Sequence, residues 1–404
     1  MTTQRWASVI VAILLFVPCQ PCLASNTVPA SRHPLIRDYW PTEGWRTCTP
    51  EQQDMNSSRL DEIVTLVEEE ETYLRSMVVI RSGYIVSEWY HDPVYGQDVM
   101  HAVYSCTKSV SSIIIGVAIH EGYIQNNVSQ TVLGFFPNWT FANVDSRKQT
   151  MTLEHLLTMT AGLDWDEWSL PYTNGLNVCR QMLVDDDPIH FVLDRPMSDD
   201  PGTRFVYNSG ASHLLSAIVN MTTGHNALSL AEEHLFGPLG ITRYNWRQDP
   251  LGVNYGGSDL FLTSRDMAKI GYLYLNNGTW DGHEIVTPDW VANSTAAQIV
   301  PFANTGYGYQ WWSAPGAGIY YASGWLGQYI FVVPRLDLVA SFTAGMTGST
   351  AICWTFLNQI IQSAEEGAAR NDWSSYIGFA LMGGLACAVA LAAAYWVKAR
   401  RKSV

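Results

Sequence analysis

The 404-residue sequence predicts an α+β protein. One antiparallel β-sheet is built from both chain ends and flanked by N- and C-terminal helices, with a large, mainly helical subdomain inserted between them. Three observations lead there. β-rich text comes in two blocks, one before residue 91 and one from Tyr307 onward. The long stretch between them reads as helices broken by Gly- and Pro-bearing loops such as "SDDPGTRF". Strands and helices do not alternate, which excludes a doubly wound parallel sheet. A cleft is expected where sheet and helical insertion meet.

The elements follow in order. "NSSRLDEIVTLVEEEE" places Leu60, Ile63, Val64 and Val67 at helical spacing, with Ser58 as N-cap. "SMVVIRS" and "YIVSEWY" read as two strands of a hairpin turning at Ser82-Gly83. "SCTKSVSSIIIGVAIHEG" lines up Val110, Ile113, Ile114 and Val117 on one helix face and stops at Gly122. Helical text continues to about Trp290. Strands then return as "YGYQWW", "GIYYASGW", "QYIFVVP" and "LVASFTA", and the amphipathic "STAICWTFLNQIIQSA" closes the body.

Composition bounds the function. Apolar residues make up 47% of the chain, enough for a sizeable core. A formal net charge of -14 excludes a nucleic-acid partner, whose phosphates call for a basic surface. No Gly-rich phosphate loop or dinucleotide fingerprint stands out. Residues 1–24 read as a signal peptide: Arg5, the apolar "ASVIVAILLFV", then small residues near Ala24. A lead at 25–41, a body at 42–364 and a linker at 365–375 follow. Residues 376–397, "YIGFALMGGLACAVALAAAYWV", carry no charge and are long enough for a transmembrane helix. The basic tail at 398–404 is expected on the cytoplasmic side. The expectation is a single-pass protein, tethered to the lipid bilayer by that helix, with its body outside the cytoplasm. Of seven cysteines, Cys48, Cys106, Cys179 and Cys353 fall in the body, either as disulfides or as buried thiols.

"YSCTK" carries the first chemical signal. Ser105 and Lys108 share a helix face at i, i+3. The positive end of the helix dipole favours a developing alkoxide. An apolar setting favours a neutral amine, able to take the hydroxyl proton. The other reading is a helix cap followed by a surface lysine. Lysine is scarce, however: the body holds only Lys108, Lys148 and Lys269, and only Lys108 has a serine three residues before it. Tyr207, in "PGTRFVYNSGASHLL", is either an acid/base beside the lysine or an ordinary buried tyrosine. In "YYASGWLGQYIFVVP", the glycine of Ser323-Gly324 lets backbone N–H groups approach a ligand. The N–H groups of Ser105 and Trp325 are then able to hold an oxyanion.

Taken in this order, Ser-x-x-Lys, Tyr-x-Ser and Ser-Gly in a late strand resemble the serine β-lactamase and penicillin-binding family. The class C-like branch, with its esterases and 6-aminohexanoate-oligomer hydrolases, is the most similar. "MTLEHLLTMTAGLDW", "GGSDLFLTSRDMAKIGYLYLNNGTW" and "GWLGQYIFVVPRLDLV" add to the resemblance, which spans about Thr42 to Ala364. It implies a β-lactamase/DD-peptidase-like fold without cofactor or metal. It also implies that Ser105 is the acylated nucleophile, Lys108 its activating partner and Tyr207 the general acid/base. Ser105 and Trp325 would supply the oxyanion N–H groups, and Ser209, Ser323 and Gly324 would line the substrate site.

Two departures limit the substrate. Ser209 stands where β-lactam-active members usually have Asn. Ala322 stands where they have Lys or sometimes His, the cation that pairs with a substrate carboxylate. Such a contact is worth about 1.5–3 kcal/mol, roughly one to two decades in affinity. Small-molecule or short peptide-like esters and unactivated amides are therefore expected, rather than β-lactams. A DD-peptidase or β-lactamase, and a non-catalytic receptor for peptides or cell-wall fragments, are the competing readings. Arg204 is either a substitute cation or a solvated loop residue. In "GLDWDEWSLPYTNG", Trp165 and Trp168 offer apolar surface to a substrate. Asp164, Asp166 and Glu167 either attract an amine or form a solvated loop, and the text around Glu167 does not fit a class A deacylating glutamate. His101, His155 and His213 show no metal-ligand spacing, and His155 reads as a packed core residue.

Overall fold

A computed structural model describes residues 37–369, apart from 70–72, 92–93, 126 and 348–349. Its main sheet has eight strands: β1 Leu74–Arg81, β2 Tyr84–Tyr90, β3 Ile299–Phe302, β4 Thr305–Tyr307, β5 Trp312–Ala314, β6 Ile319–Gly324, β7 Gln328–Val333 and β8 Leu338–Ala344. The spatial order is β2-β1-β8-β7-β6-β5-β4-β3, every pair antiparallel. The sheet is open, with β2 and β3 at its edges, and β1 pairs in its interior with the last strand, Val79 opposite Ala340, which joins the two chain ends as expected. Ser82 and Gly83 both take positive φ, 51° and 89°, the geometry of a two-residue hairpin turn.

Both faces of the sheet are covered, so its central strands are apolar at nearly every position. Along β1, Met77 and Val79 point to one core and Val78 and Ile80 to the other, following the period-two alternation of a strand. β7 splits the same way, with Phe331 and Val333 on one side and Ile330 and Val332 on the other. The first face is packed by helix α1, Ser57–Glu69, through Leu60, Ile63 and Val67, and by a helix over 351–369 through Phe356, Leu357 and Ile360. Ser58 does not cap α1. The helix starts one residue earlier, and the Ser58 N–H donates to Asn56 Oδ1 at 3.3 Å. Asn56 in turn donates to Glu366 at 2.7 Å, tying the two end helices together.

The opposite face meets the helical insertion. Its central helix α2, Cys106–His120, is buried from Cys106 through Ala118, so it is a core helix rather than an amphipathic one. It ends as expected, with Gly122 at φ 78° and its N–H on Ile119 O at 3.1 Å. Helix α3, Ser209–Thr223, packs beside it, capped by Asn208, whose side chain accepts from the Ala211 N–H. A small sheet of His101–Ala102, Leu260–Leu262 and Tyr244–Trp246 was not expected. It fixes the segment entering α2, and the Val103 N–H continues it onto Leu260 O at 2.9 Å.

The expected transmembrane helix is not supported. Among the described residues no helix is long and apolar enough to cross a membrane. Residues 376–397, on which that expectation rested, lie outside the described residues, as does the 1–24 leader. Apolar composition measures only the ease of leaving water. The helix at 351–369 uses its apolar side on the sheet and carries Glu365 and Glu366. The single-pass localisation, the extracytoplasmic placement and the bilayer contact are withdrawn with the helix. Cys48, Cys106, Cys179 and Cys353 are all free thiols.

Candidate active site

Ser105 sits at the N-terminus of α2 but does not cap it. Its side chain makes no capping hydrogen bond, and the first turn is closed by backbone instead, Lys108 N–H to Ser105 O at 3.0 Å. Tyr104, just before it, takes φ 47°, a left-handed conformation unusual for a bulky residue. The Ser105 hydroxyl is left to face Lys108, whose Nζ lies 3.1 Å from Oγ.

Lys108 is 1% exposed. Its Nζ donates to Gly257 O at 2.8 Å and reaches Ser209 Oγ at 2.9 Å. Burial pushes the amine below its ordinary pKa, against an upward pull from the Glu167 carboxylate. Gly257 is held where only glycine fits: a Cβ there would stand 2.9 Å from Ser209 O. The neighbouring Gly256 carbonyl is pinned by Ser111 Oγ at 2.7 Å.

Tyr207 completes the cluster. Lys108 Nζ lies 4.8 Å from the centre of its ring, which is stacked between Trp168 (5.1 Å, 19°) and Trp312 (6.0 Å, 23°). Burial first, then the Glu167 charge, push its phenol well above the ordinary tyrosine value, while a hydrogen bond with Ser105 pulls the other way. This phenol is therefore protonated near neutral pH, a proton donor rather than a resting phenolate.

Gly324 and Trp325 close the far side, at the end of β6. A Cβ on Gly324 would run into Val103 O, so glycine brings this strand end against the segment leading to Ser105. The Trp325 ring then meets Tyr104 edge-on at 5.4 Å and Tyr172 at 5.9 Å. Ser323 is half-buried in the same strand, opposite Tyr329. Ala322 is fully buried in the core on the insertion side and brings no cation.

The loop after Leu163 divides by burial. Asp164 and Asp166 are exposed, and Asp166 accepts from the N–H groups of Trp168 and Ser169. Trp168 is 52% exposed. Trp165 is buried, and its indole N–H donates to Glu167 at 2.7 Å. A cavity of about 850 Å³ opens here, lined by Asp164, Trp168, Phe205, Tyr207, Val300 and Phe302 among others. Tyr207 belongs to both cavity and cluster, whereas Ser105 and Lys108 do not line the cavity. Arg204 stands at its rim with Nη1 3.1 Å from Asp199.

Glu167, expected to attract an amine or to sit in a solvated loop, has a buried role that the sequence reading missed. It is buried and accepts four hydrogen bonds: from Trp165 Nε1, Tyr172 OH (2.8 Å), the Ser209 N–H (2.7 Å) and Ser209 Oγ (2.9 Å). Local text could not show this, because its main partner is 42 positions away. Gly257 was equally hidden, its segment "GGSD" having counted only toward the resemblance. The histidines lie outside the cluster. His213 pairs with Asp249 at 3.0 Å in the core, and His101 is buried beside Tyr95. His155 is half-buried rather than packed, and accepts the Thr152 N–H at 3.1 Å. Among the described residues no cluster of His, Cys, Asp or Glu is arranged to hold a metal ion.

The fold and this constellation define a class. The sequence matches the Beta-lactamase family over residues 70–350, and the chain belongs to that family of serine hydrolases. It is 24% identical over 307 residues to the 6-aminohexanoate-dimer hydrolase of Paenarthrobacter ureafaciens, covering 70% of this chain and 76% of that protein. A Bacillus anthracis structure provisionally described as a 6-aminohexanoate-dimer hydrolase superposes with a TM-score of 0.67 at 21% identity, over 79% of this chain and 87% of that one. A family VIII carboxylesterase superposes with a TM-score of 0.60 at 16% identity, over 80% of this chain and 98% of that one. At these identities the structural likeness speaks for the fold.

Proposed function

We propose that the protein hydrolyses small esters or unactivated amides through an acyl-enzyme on Ser105. The observation that carries this reading is the desolvated Lys108 amine 3.1 Å from the Ser105 hydroxyl. Ser105 Oγ attacks the substrate carbonyl carbon as its proton passes to Lys108 Nζ. The N–H groups of Ser105 and Trp325 hold the oxyanion. Tyr207, protonated and beside Lys108, delivers a proton to the leaving oxygen or nitrogen as the scissile bond breaks, and is reprotonated through Lys108. Water then attacks the acyl-enzyme by the reverse path, releasing the acid and restoring Ser105.

Substrate class follows from the walls. Trp168, Phe302 and Phe205 present aromatic surface at the cavity beside Tyr207, and Tyr104 and Trp325 do so near Ser105. Ser323 and Gly324 form the strand edge along which a substrate backbone lies. With Ala322 buried and Arg204 held by Asp199, no free cation waits for a carboxylate there among the described residues. The named activities of the two hydrolase relatives and the carboxylesterase support an amide or ester preference. The test is a substrate panel of p-nitrophenyl esters, a linear aminohexanoate dimer and a chromogenic cephalosporin, with Ser105→Ala as control. Turnover of an ester or the dimer, lost in Ser105→Ala, is expected. Cephalosporin turnover exceeding both would overturn the assigned substrate class.

A further inference from the structure

We infer that Glu167 is a positioning residue that aims the lone pair of Lys108 at Ser105, acting through the Ser209 hydroxyl. This deepens the function proposed above and rests on Lys108 being the base there. A neutral lysine amine has two N–H bonds and one lone pair, and three groups surround Nζ: Gly257 O, Ser209 Oγ and Ser105 Oγ. The Gly257 carbonyl only accepts, so it takes one N–H. A hydroxyl both donates and accepts, so Ser209 alone leaves the pattern undecided. Glu167 decides it. Its carboxylate only accepts, and it lies 2.9 Å from Ser209 Oγ while also holding the Ser209 N–H at 2.7 Å. The single Ser209 proton therefore points to Glu167, and Oγ turns a lone pair to Lys108 and takes the second N–H. The amine lone pair is left for the Ser105 O–H. Without Glu167, Ser209 is free to donate to Lys108 and occupy the lone pair that catalysis needs.

The carboxylate is itself fixed by Trp165 Nε1 and Tyr172 OH, so its orientation is built in. The other titratable groups facing Lys108 and Glu167 are Cys106, Cys179, Tyr172 and Tyr207. Burial raises all four, which keeps them neutral near pH 7. Removing the Glu167 charge should thus make Lys108 still easier to deprotonate while leaving its lone pair undirected. The two effects have opposite signs, which a merely structural role does not produce.

Glu167→Gln in the full chain is expected to lower kcat about 10- to 100-fold with KM within about threefold. The acid limb of its kcat/KM profile moves to lower pH. Ser209→Ala, which keeps Glu167 and removes the hydroxyl between it and Lys108, lowers kcat by a similar factor, and adding Glu167→Gln to it lowers kcat by less than about threefold more. NMR of 13Cε-labelled lysine reads Lys108 without turnover, and its titration midpoint falls in Glu167→Gln. Independent, multiplying effects, or an unmoved Lys108 midpoint, overturn the role of Glu167. So does Ser209→Ala with parental kcat, which decides the matter even if Glu167→Gln does not fold. Loss of ester turnover in the parent would contradict the function reading instead, and the lysine titration tells the two failures apart.

Discussion

As the proposed base, Lys108 can work only while neutral, so activity should be lost as pH falls through its lowered pKa. Lys108→Arg keeps a cation that cannot be deprotonated, and kcat is expected to drop about 10²–10⁴-fold across the pH range. Retention of activity in that variant would remove the amine from the chemistry. The same shift has a stability sign. Between the folded value and the ordinary value near 10.4, the unfolded chain holds the extra proton, so stability rises with pH across that window. The contribution is complete above the ordinary value and lost as pH falls through the folded one. Lys108→Met should flatten the rise in Tm as pH climbs toward the ordinary lysine value, and thermal melts read it directly. Trp168 offers a different kind of test. It is half-exposed and stacked on Tyr207, so Trp168→Ala should raise KM about tenfold while changing stability by less than about 1 kcal/mol. An unchanged KM would separate the cavity from the substrate path.

Three elements meet at the cleft, and they were unequally legible. The Ser105 helix could be read from its apolar spacing, although the text showed one buried face where the structure buries nearly the whole turn. That extra burial is what desolvates Lys108. The three-stranded sheet at His101–Ala102 escaped notice because strands of two or three residues show no periodicity. Ser323-Gly324 stood out as glycine in a strand, but its reason is long-range: close approach to Val103. Gly324→Ala should force β6 away from Ser105 and cut kcat at least 100-fold, with far-ultraviolet circular dichroism unchanged. Full activity in that variant would detach Trp325 from the oxyanion role. At the other face, Phe356 is fully buried between the C-terminal helix and the sheet. Phe356→Ala should destabilise by about 3–5 kcal/mol in denaturant melts while leaving KM unchanged in the folded fraction.

Across the molecule, the sheet that joins the two chain ends is the platform, and the helical insertion brings the amine, the phenol and the buried carboxylate to its edge. Pattern and motif order were sufficient for the antiparallel α+β architecture, because strand and helix periodicities are local signals. They were insufficient for Glu167, a loop residue whose partner Ser209 lies 42 positions away at the start of α3, and the expected membrane span at 376–397 lies outside the described residues. The departures at Ser209 and Ala322 turn out to differ in kind. Ser209 is accommodated by a second group, Glu167, whereas Ala322 is simply enclosed. The central claim is that one serine becomes acylated. Treating the full chain with a fluorophosphonate probe and mapping the modified peptide by mass spectrometry tests it most directly. One adduct on Ser105, absent from Ser105→Ala and strongly slowed in Lys108→Arg, is the expected result. No adduct, or an adduct that persists in Ser105→Ala, would contradict the account.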